Sequence, residues 1–205
     1  MSSPIQLSAP SRITASNLPL LEASSSSKPH SEPGVEVRVD KLEPEPILGG
    51  ELKRARVASS KKLPTSNDGH GNLELDPVPG FGIVLPGGLN MYYLDIAPNT
   101  EGVVHRTTST DYLVVLSGTL SLITPPGSFD VVNGRGTYGE LVETLCKPGD
   151  VVLQRGIMHA LSNRTNEWVR IIGMVVASET NRVPTVGSGH GDQPKTIVLN
   201  DEWLQ

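Results

Sequence analysis

The alternation of apolar and polar residues predicts short β-strands, concentrated between residues 73 and 180. Apolar runs of strand length occupy residues 89–97, 111–117, 119–124 and 168–176, and turns rich in glycine or proline separate them. No stretch in this region has a 3.6-residue periodicity long enough to predict a dominant helix. We therefore predict an all-β fold, a small antiparallel sandwich or barrel, over about residues 73–180.

The first 72 residues are predicted to be largely disordered. Residues 1–33 are rich in serine, proline and alanine, and they bury too little apolar surface to offset the entropy of ordering. Residues 35–40 alternate cleanly, which is typical either of a strand added to a sheet edge or of a solvated linker. A loose cluster of basic residues between 53 and 62 is interpreted as a solvated face. Residues 181–205 are turn-rich and form a C-terminal extension.

Composition excludes several classes of function. The net charge is −5 and the 17 basic residues form no long run, so nucleic acid is not expected as a partner. No segment approaches the length of a membrane span, and the first residues do not form a signal peptide. Cys146 is the single cysteine, which rules out an internal disulfide. We therefore expect a cytoplasmic protein that binds a small molecule.

Two short stretches carry residues suited to chemistry. Residues 104–112 contain His105 and Asp111, and residues 147–163 contain His159. Alternate residues of a strand share one face, so Thr107 faces the same way as His105 and Asp111 if the backbone stays extended; a turn would break this parity. Two histidines and one aspartate that converge inside a barrel would form a three-ligand metal site with open positions.

These stretches resemble the two motifs of the cupin superfamily. Asp111 stands where the first motif has glutamate, and Gly118 follows it; Gly149, Gly156, His159 and Asn163 fit the second motif. Gly102 lies too close to His105 to match the leading glycine. The pattern is most similar to a single-domain subgroup with His-Arg-Thr-x-Ser-x-Asp-Tyr and Gln-Arg-Gly-x-x-His, which is common among fungal secondary-metabolite proteins. The resemblance implies a jelly-roll barrel (double-stranded β-helix).

The resemblance also implies a divalent metal ion, held by His105, Asp111 and His159. This ligand set favours Fe(II), and it also suits Zn, Mn or Ni. Thr107 replaces the second histidine of the family motif, so a coordination position would be open and the hydroxyl of Thr107 could position a substrate or dioxygen. The alternative is a decayed site in which the two histidines are only hydrogen-bonded inside the barrel.

Three classes of function follow. The first is a metal-dependent oxidoreductase that acts on an aromatic or polyketide-type intermediate of secondary metabolism. The second is a lyase or isomerase (decarboxylase, dehydratase or cyclase) that uses the metal as a Lewis acid. The third is a non-catalytic binding cupin. In the enzymatic readings Arg155, in a turn near the mouth, holds a substrate carboxylate or enolate.

The sequence also bears on the partners of the protein and on the long loop at residues 125–140. No dinucleotide-binding pattern is present, so a nicotinamide cofactor would be absent or supplied by a partner enzyme of the pathway. A homodimer is possible, with residues 35–39 crossing between protomers. The long interruption at residues 125–140 is interpreted as a surface hairpin or as a lid carrying Arg135 and Tyr138.

Overall fold

The computed structural model describes residues 7–20, 32–185 and 195–205. Regular structure in these ranges is almost entirely antiparallel strand, which confirms the predicted all-β fold. The strands are β1 (Ser11–Asn17), β2 (Val35–Lys41), β3 (Glu45–Ile47), β4 (Leu52–Ser60), β5 (Leu89–Ile96), β6 (His105–Arg106), β7 (Ser109–Ser117), β8 (Leu120–Thr124), β9 (Val131–Val132), β10 (Arg135–Gly136), β11 (Val142–Cys146), β12 (Val151–Arg155), β13 (Ala160–Ser162), β14 (Val169–Ala177), β15 (Asn181–Pro184), β16 (Thr196–Leu199) and β17 (Glu202–Trp203). The helical turn Leu48–Gly50 has three residues, and no helix in the described ranges has the length or apolar character needed to span a bilayer.

Two sheets enclose one apolar core. The larger has the strand order β12-β7-β14-β5-β4-β3 and the smaller has the order β11-β8-β13. Buried side chains of both sheets belong to a single hydrophobic cluster; they include Leu94, Ile96, Leu113, Val115, Leu120, Cys146, Val169 and Ile171. The side chains that alternate inward from each sheet therefore pack face to face. The result is a small antiparallel barrel of the jelly-roll type.

Gly118 lets the chain pass from the large sheet to the small one. It lies between β7 and β8 and has a φ of +73°, in the left-handed region that glycine adopts without steric cost. A Cβ atom built there would stand 2.7 Å from the carbonyl oxygen of Trp168. The glycine of the first motif is therefore required by backbone geometry and by close packing.

The barrel begins before residue 73, which corrects the predicted boundary. β4 pairs with β5 in the register Leu52↔Ile96, and the side chains of Leu52 and Ala55 are buried. The pattern of β4 is hard to recognise because a bulge between Arg56 and Ala58 shifts the alternation. Lys53 of this strand also lies along the protein surface, where its ammonium group stands 5.1 Å from the ring centroid of Trp168.

The N-terminal residues are only partly as predicted. Of the two interpretations of residues 35–40, a strand is what forms, over residues 35–41; it pairs with β1 in a separate two-stranded sheet, from Ser11↔Lys41 to Asn17↔Val35, and so residues 11–17 are ordered. Arg12 ties this ribbon to the barrel, because it donates hydrogen bonds to Asp40 and to the carbonyl oxygen of Val57 in β4. The remainder of the predicted disordered tail, residues 1–6 and 21–31, lies outside the described residues.

Candidate functional site

A small cavity lies inside the barrel, at one end of the apolar core. Its volume is about 80 Å³, and its wall is mostly apolar, with Leu52, Leu94, Leu113 and Leu161 among the lining residues. The polar groups that reach it are His105, Asp111, Gln154 and His159, together with Tyr92 and Arg54. An apolar pocket with a few convergent polar groups is typical of a small-molecule site.

His105 and His159 lie side by side in the wall of this cavity. Their backbones form an isolated antiparallel bridge, with N–H···O distances of 2.8 Å from His105 to His159 and 2.9 Å in return. Residues directly opposite in an antiparallel pair carry their side chains on the same face. The two imidazole rings accordingly have centroids 4.5 Å apart and planes 49° apart.

Both imidazole rings are oriented by the same kind of hydrogen bond. Nδ1 of His105 lies 2.8 Å from the carbonyl oxygen of Val103, and Nδ1 of His159 lies 3.0 Å from that of Ile157. A carbonyl oxygen can only accept, so each Nδ1 carries the hydrogen and each neutral ring keeps a lone pair at Nε2. This tautomer is the one that a metal ligand or a general base needs.

Burial keeps the two histidines neutral. It lowers the pKa of His105, and it lowers the pKa of His159 to about 4, with the nearby His105 adding to the effect. The side chain of His159 is buried and that of His105 is half-buried. At neutral pH both Nε2 atoms are therefore free to bind a metal ion or to accept a proton.

Asp111 and Gln154 are buried polar neighbours. They lie opposite each other on β7 and β12 and are 6% and 1% exposed. Among the described residues, Oδ1 of Asp111 and both amide atoms of Gln154 have no hydrogen-bond partner. Burial raises the pKa of Asp111, with the hydroxyl of Ser109 opposing the change. Unpaired buried polar atoms cost free energy, so their presence at a cavity indicates groups kept for a ligand.

The donor chemistry of His105, His159 and Asp111 suits a divalent metal ion, since two Nε2 atoms and one unpaired carboxylate oxygen open on one cavity. Across the ranges that the structure describes, however, no three His, Cys, Asp or Glu side chains are gathered closely enough to hold a metal. The histidine pair is thus assembled, and the three groups share a cavity without forming a ready ligand cluster. The ligand set remains a prediction.

The chain has relatives among known fungal proteins. No family model matches the chain. Phomopsin biosynthesis cluster protein D of Diaporthe leptostromiformis is 36% identical over 92 residues, which are 44% of this chain and 41% of that protein. Oryzines biosynthesis cluster protein J of Aspergillus oryzae is 32% identical over 143 residues, which are 65% of this chain and 70% of that protein. The cupin-domain-containing oxidoreductase fogC of Aspergillus ruber is 24% identical over 117 residues, 57% of this chain and 47% of that protein.

The oryzines protein is covered over more than two thirds of its length, and the two cupin motifs frame the antiparallel barrel. The chain belongs to the family of the oryzines cluster protein, and its motifs and barrel are of the cupin type. Among solved structures, a cupin-2 domain from Rhodospirillum rubrum has a TM-score of 0.38 and 14% identity, over 76% of this chain and 73% of that one. The matched segment spans less than half the length of the phomopsin protein.

Thr107 and Arg155 lie outside the histidine cavity of this cupin. The backbone leaves the strand at residues 107 and 108, which breaks the parity on which the placement of Thr107 depended. Thr107 instead lines an outer groove, and its hydroxyl lies 2.9 Å from that of Ser109. On β12 the inward position belongs to Gln154, so Arg155 points outward and lines a separate surface groove. The expected contact of Arg155 with a substrate is therefore not available in this cavity.

Three residues of the cavity were missed from sequence. Gln154 was detectable, because the alternation of β12 makes it an inward residue. Arg54 belonged to the basic cluster interpreted as a solvated face, yet it lines the cavity, and its Nη1 donates to the carbonyl oxygens of Phe81 and Gly82. As an apolar aromatic residue Trp203 could be expected to dock on the barrel surface, but its place beside His105 comes from the pairing of β17 with β6.

The metal-free cupin is expected to lose stability as the pH falls from about 6.5 to about 4. Within that interval the unfolded chain protonates His159 and the folded chain does not, so protons favour unfolding by an amount on the order of a few kcal/mol. The lowered pKa of His105 acts in the same direction, and the raised pKa of Asp111 opposes it at the acidic end. Denaturant titrations in the presence of a chelator, repeated at several pH values in this range, measure how the free energy of unfolding depends on pH.

His159→Gln is the control for this pH dependence of stability, because glutamine does not titrate. The variant is expected to show a shallower loss of stability over the same interval. If its pH dependence equals that of the wild-type protein, protonation of His159 is not what destabilises the fold.

Proposed function

We propose that this cupin is a cytoplasmic enzyme of a secondary-metabolite pathway, a metal-dependent oxidoreductase that acts on an aromatic or polyketide-type intermediate. The observation that carries the proposal is the adjacent pair of His105 and His159, in which a hydrogen bond at Nδ1 orients each ring and leaves each Nε2 available. The proposed metal ion is held by this pair, and Asp111 supplies the carboxylate. The names of the phomopsin and oryzines cluster proteins and of fogC support the class of pathway and of reaction.

The protein groups have distinct roles in this proposal. The hydrogen bonds from Nδ1 fix the plane of each imidazole, so Nε2 needs little reorientation to bind. A bound metal ion would polarise a substrate oxygen and, if it were iron, would supply redox chemistry. The amide of Gln154, which is buried beside Asp111 and has no hydrogen-bond partner among the described residues, can orient a carbonyl or hydroxyl group of the substrate. The apolar wall limits water.

A second candidate is a lyase or isomerase. It is favoured by one observation: a buried carboxyl with a raised pKa shares a cavity with two neutral imidazoles. Such a set contains both a proton donor and proton acceptors, which decarboxylation, dehydration or cyclisation require. Metal in that case acts as a Lewis acid, and no electron transfer takes place.

Metal loading distinguishes these functions. Metal-free protein is mixed separately with Fe(II), Zn, Mn and Ni, desalted and analysed for metal per chain. One Fe(II) ion per chain is expected, and the iron-loaded protein should bind nitric oxide as an analogue of dioxygen, because the set leaves open positions. Retention of zinc alone would favour the lyase or isomerase. Retention of no metal by the folded protein would contradict the proposal and leave a binding cupin. His70→Ala, at an exposed histidine, is the control and should load normally.

A further inference from the structure

A second, larger pocket adjoins the histidine cavity. This outer groove has a volume of about 440 Å³, and its walls include Phe81, Val84, Thr107 and Trp203. Sites for small molecules usually occupy about 300–1,000 Å³. The groove lies in this range, whereas the histidine cavity, at about 80 Å³, has room only for the reacting end of an aromatic molecule.

The ring of Trp203 is shared by the two spaces. It lines both the outer groove and the histidine cavity. On one side it stacks on the imidazole of His105, with ring centroids 4.1 Å apart and planes 11° apart. It also contacts the ring of Phe81, with centroids 4.5 Å apart and planes 41° apart. A molecule in the groove therefore lies one aromatic ring away from His105.

Trp203 is held firmly in this position. β17 pairs with β6 in the register Trp203↔His105, and the backbone N–H of Leu204 donates to the carbonyl oxygen of Val104 at 3.0 Å. Oδ1 of Asp201 accepts two hydrogen bonds of 2.6 Å from Thr108, one from the backbone N–H and one from the hydroxyl. The aromatic wall is thus organised before any ligand binds, which reduces the entropy cost of binding.

The polar groups of the groove restrict the ligand. The hydroxyl of Thr107 is paired with Ser109, and that of Thr108 is paired with Asp201. The carboxylate of Asp201 is the one charged side chain among the lining residues that the structure describes. A flat, uncharged ring system would gain contacts with Phe81 and Trp203, whereas an anionic one would meet an unfavourable charge.

We propose that the outer groove binds the planar, uncharged body of the substrate and that Trp203 and Phe81 form its aromatic platform beside His105. The assignment of the bound molecule to a substrate rests on the proposed function. The existence of an aromatic-binding site does not, since it depends only on the groove and its two rings.

Fluorescence tests the groove directly. The chain has two tryptophans, so Trp168→Phe leaves Trp203 as the sole tryptophan and as a reporter inside the groove. Titration of this variant with 2-naphthol should quench the emission of Trp203 in a saturable way. The anion 2-naphthoate, which has the same ring system, should bind several-fold more weakly. Absence of saturable quenching by 2-naphthol, or tighter binding of the anion, would overturn the proposal.

The two phenylalanines of the chain provide a matched pair of variants. Phe81→Ala, in the Trp168→Phe background, should weaken 2-naphthol binding about tenfold, because one of two aromatic contacts is lost. Phe81 is 60% exposed, so the fold should survive the change, as a thermal melt would verify. Phe129→Ala should bind normally, since Phe129 packs edge-on against Tyr138 with centroids 5.2 Å apart. Equal affinities of the two variants would refute the assignment of the platform.

The same proteins separate this proposal from the proposed function. Metal loading is measured on each variant beside 2-naphthol binding. If 2-naphthol binds in the groove and no metal is retained, the groove stands and the metal-dependent function falls. If metal is retained and 2-naphthol does not bind, the proposed groove is refuted and the metal-dependent function stands.

Discussion

Substitution of His159 by alanine is expected to weaken divalent metal binding by about 100-fold or more. Disturbance of a group that merely supports a ligand costs about 10–100-fold in affinity, and loss of one of three ligands should cost at least as much. The imidazole of His159 is buried and neutral, and its hydrogen bond to the carbonyl oxygen of Ile157 orients the ring, so its Nε2 is in place before a metal ion binds. Competition with a chromogenic chelator measures the affinity.

Two comparisons make this test decisive. His105→Ala should show a similar loss, because the two rings lie side by side in one cavity wall. His70→Ala should retain wild-type affinity, since that histidine is exposed. Circular dichroism establishes that each variant is folded. A folded His159→Ala protein with unchanged metal affinity would contradict the assignment of this residue as a ligand.

Substitution of Asn163 by alanine is expected to destabilise the cupin by about 3–5 kcal/mol. The side chain is fully buried, and its Nδ2 donates to the carbonyl oxygens of Ile96, Ala97 and Glu167 at 2.7–3.0 Å. Its Oδ1 accepts hydrogen bonds from the backbone N–H and the hydroxyl of Thr165. Alanine would remove this donor from the buried bond to Ile96 and from the half-buried bonds to Ala97 and Glu167, and a buried polar group left unsatisfied costs about 1–3 kcal/mol.

Denaturant unfolding measures this effect, with Asn166→Ala as the control. Asn166 is exposed in the same turn, and its oxygen takes part in one long hydrogen bond of 3.4 Å. Its loss should change stability by about 0.5 kcal/mol or less. If the two variants unfold at the same denaturant concentration, the hydrogen-bond network of Asn163 does not contribute as described.

The residues of the second motif thus have different physical roles: some stabilise the backbone, and one lines the cavity. Asn163 joins the turn after β13 to the end of β5, and Gly156 has a φ of +57° and sits under the amide of Asn181. Asn163 and Gly156 both stabilise the backbone conformation, whereas the side chain of His159 lines the cavity. The motif spacing does not distinguish these roles, because a pattern of residue types records positions and not the direction of each side chain.

Local pattern alone was enough to predict the strands that form the centre of the barrel. In β7, β8 and β14 the apolar residues recur with the period of a strand, and turns with glycine or polar residues bound them, so near neighbours in sequence carry the whole signal. The two motifs located His105, Asp111 and His159, and the structure brings all three to one cavity. The order of the motifs also predicted the jelly-roll family.

What only the tertiary structure decided depends on contacts between distant parts of the chain. β4 was missed because its place in the large sheet comes from pairing with β5, and Trp203 was missed because β17 returns to β6 from the far end of the sequence. The bend at residues 107 and 108 turned Thr107 toward the outer groove, and strand parity gave the inward position of β12 to Gln154 in place of Arg155. Sequence by itself identified His105, Asp111 and His159 as candidates for chemistry. Packing decided which side chains meet, because the direction of a side chain depends on a backbone path that long-range pairing sets.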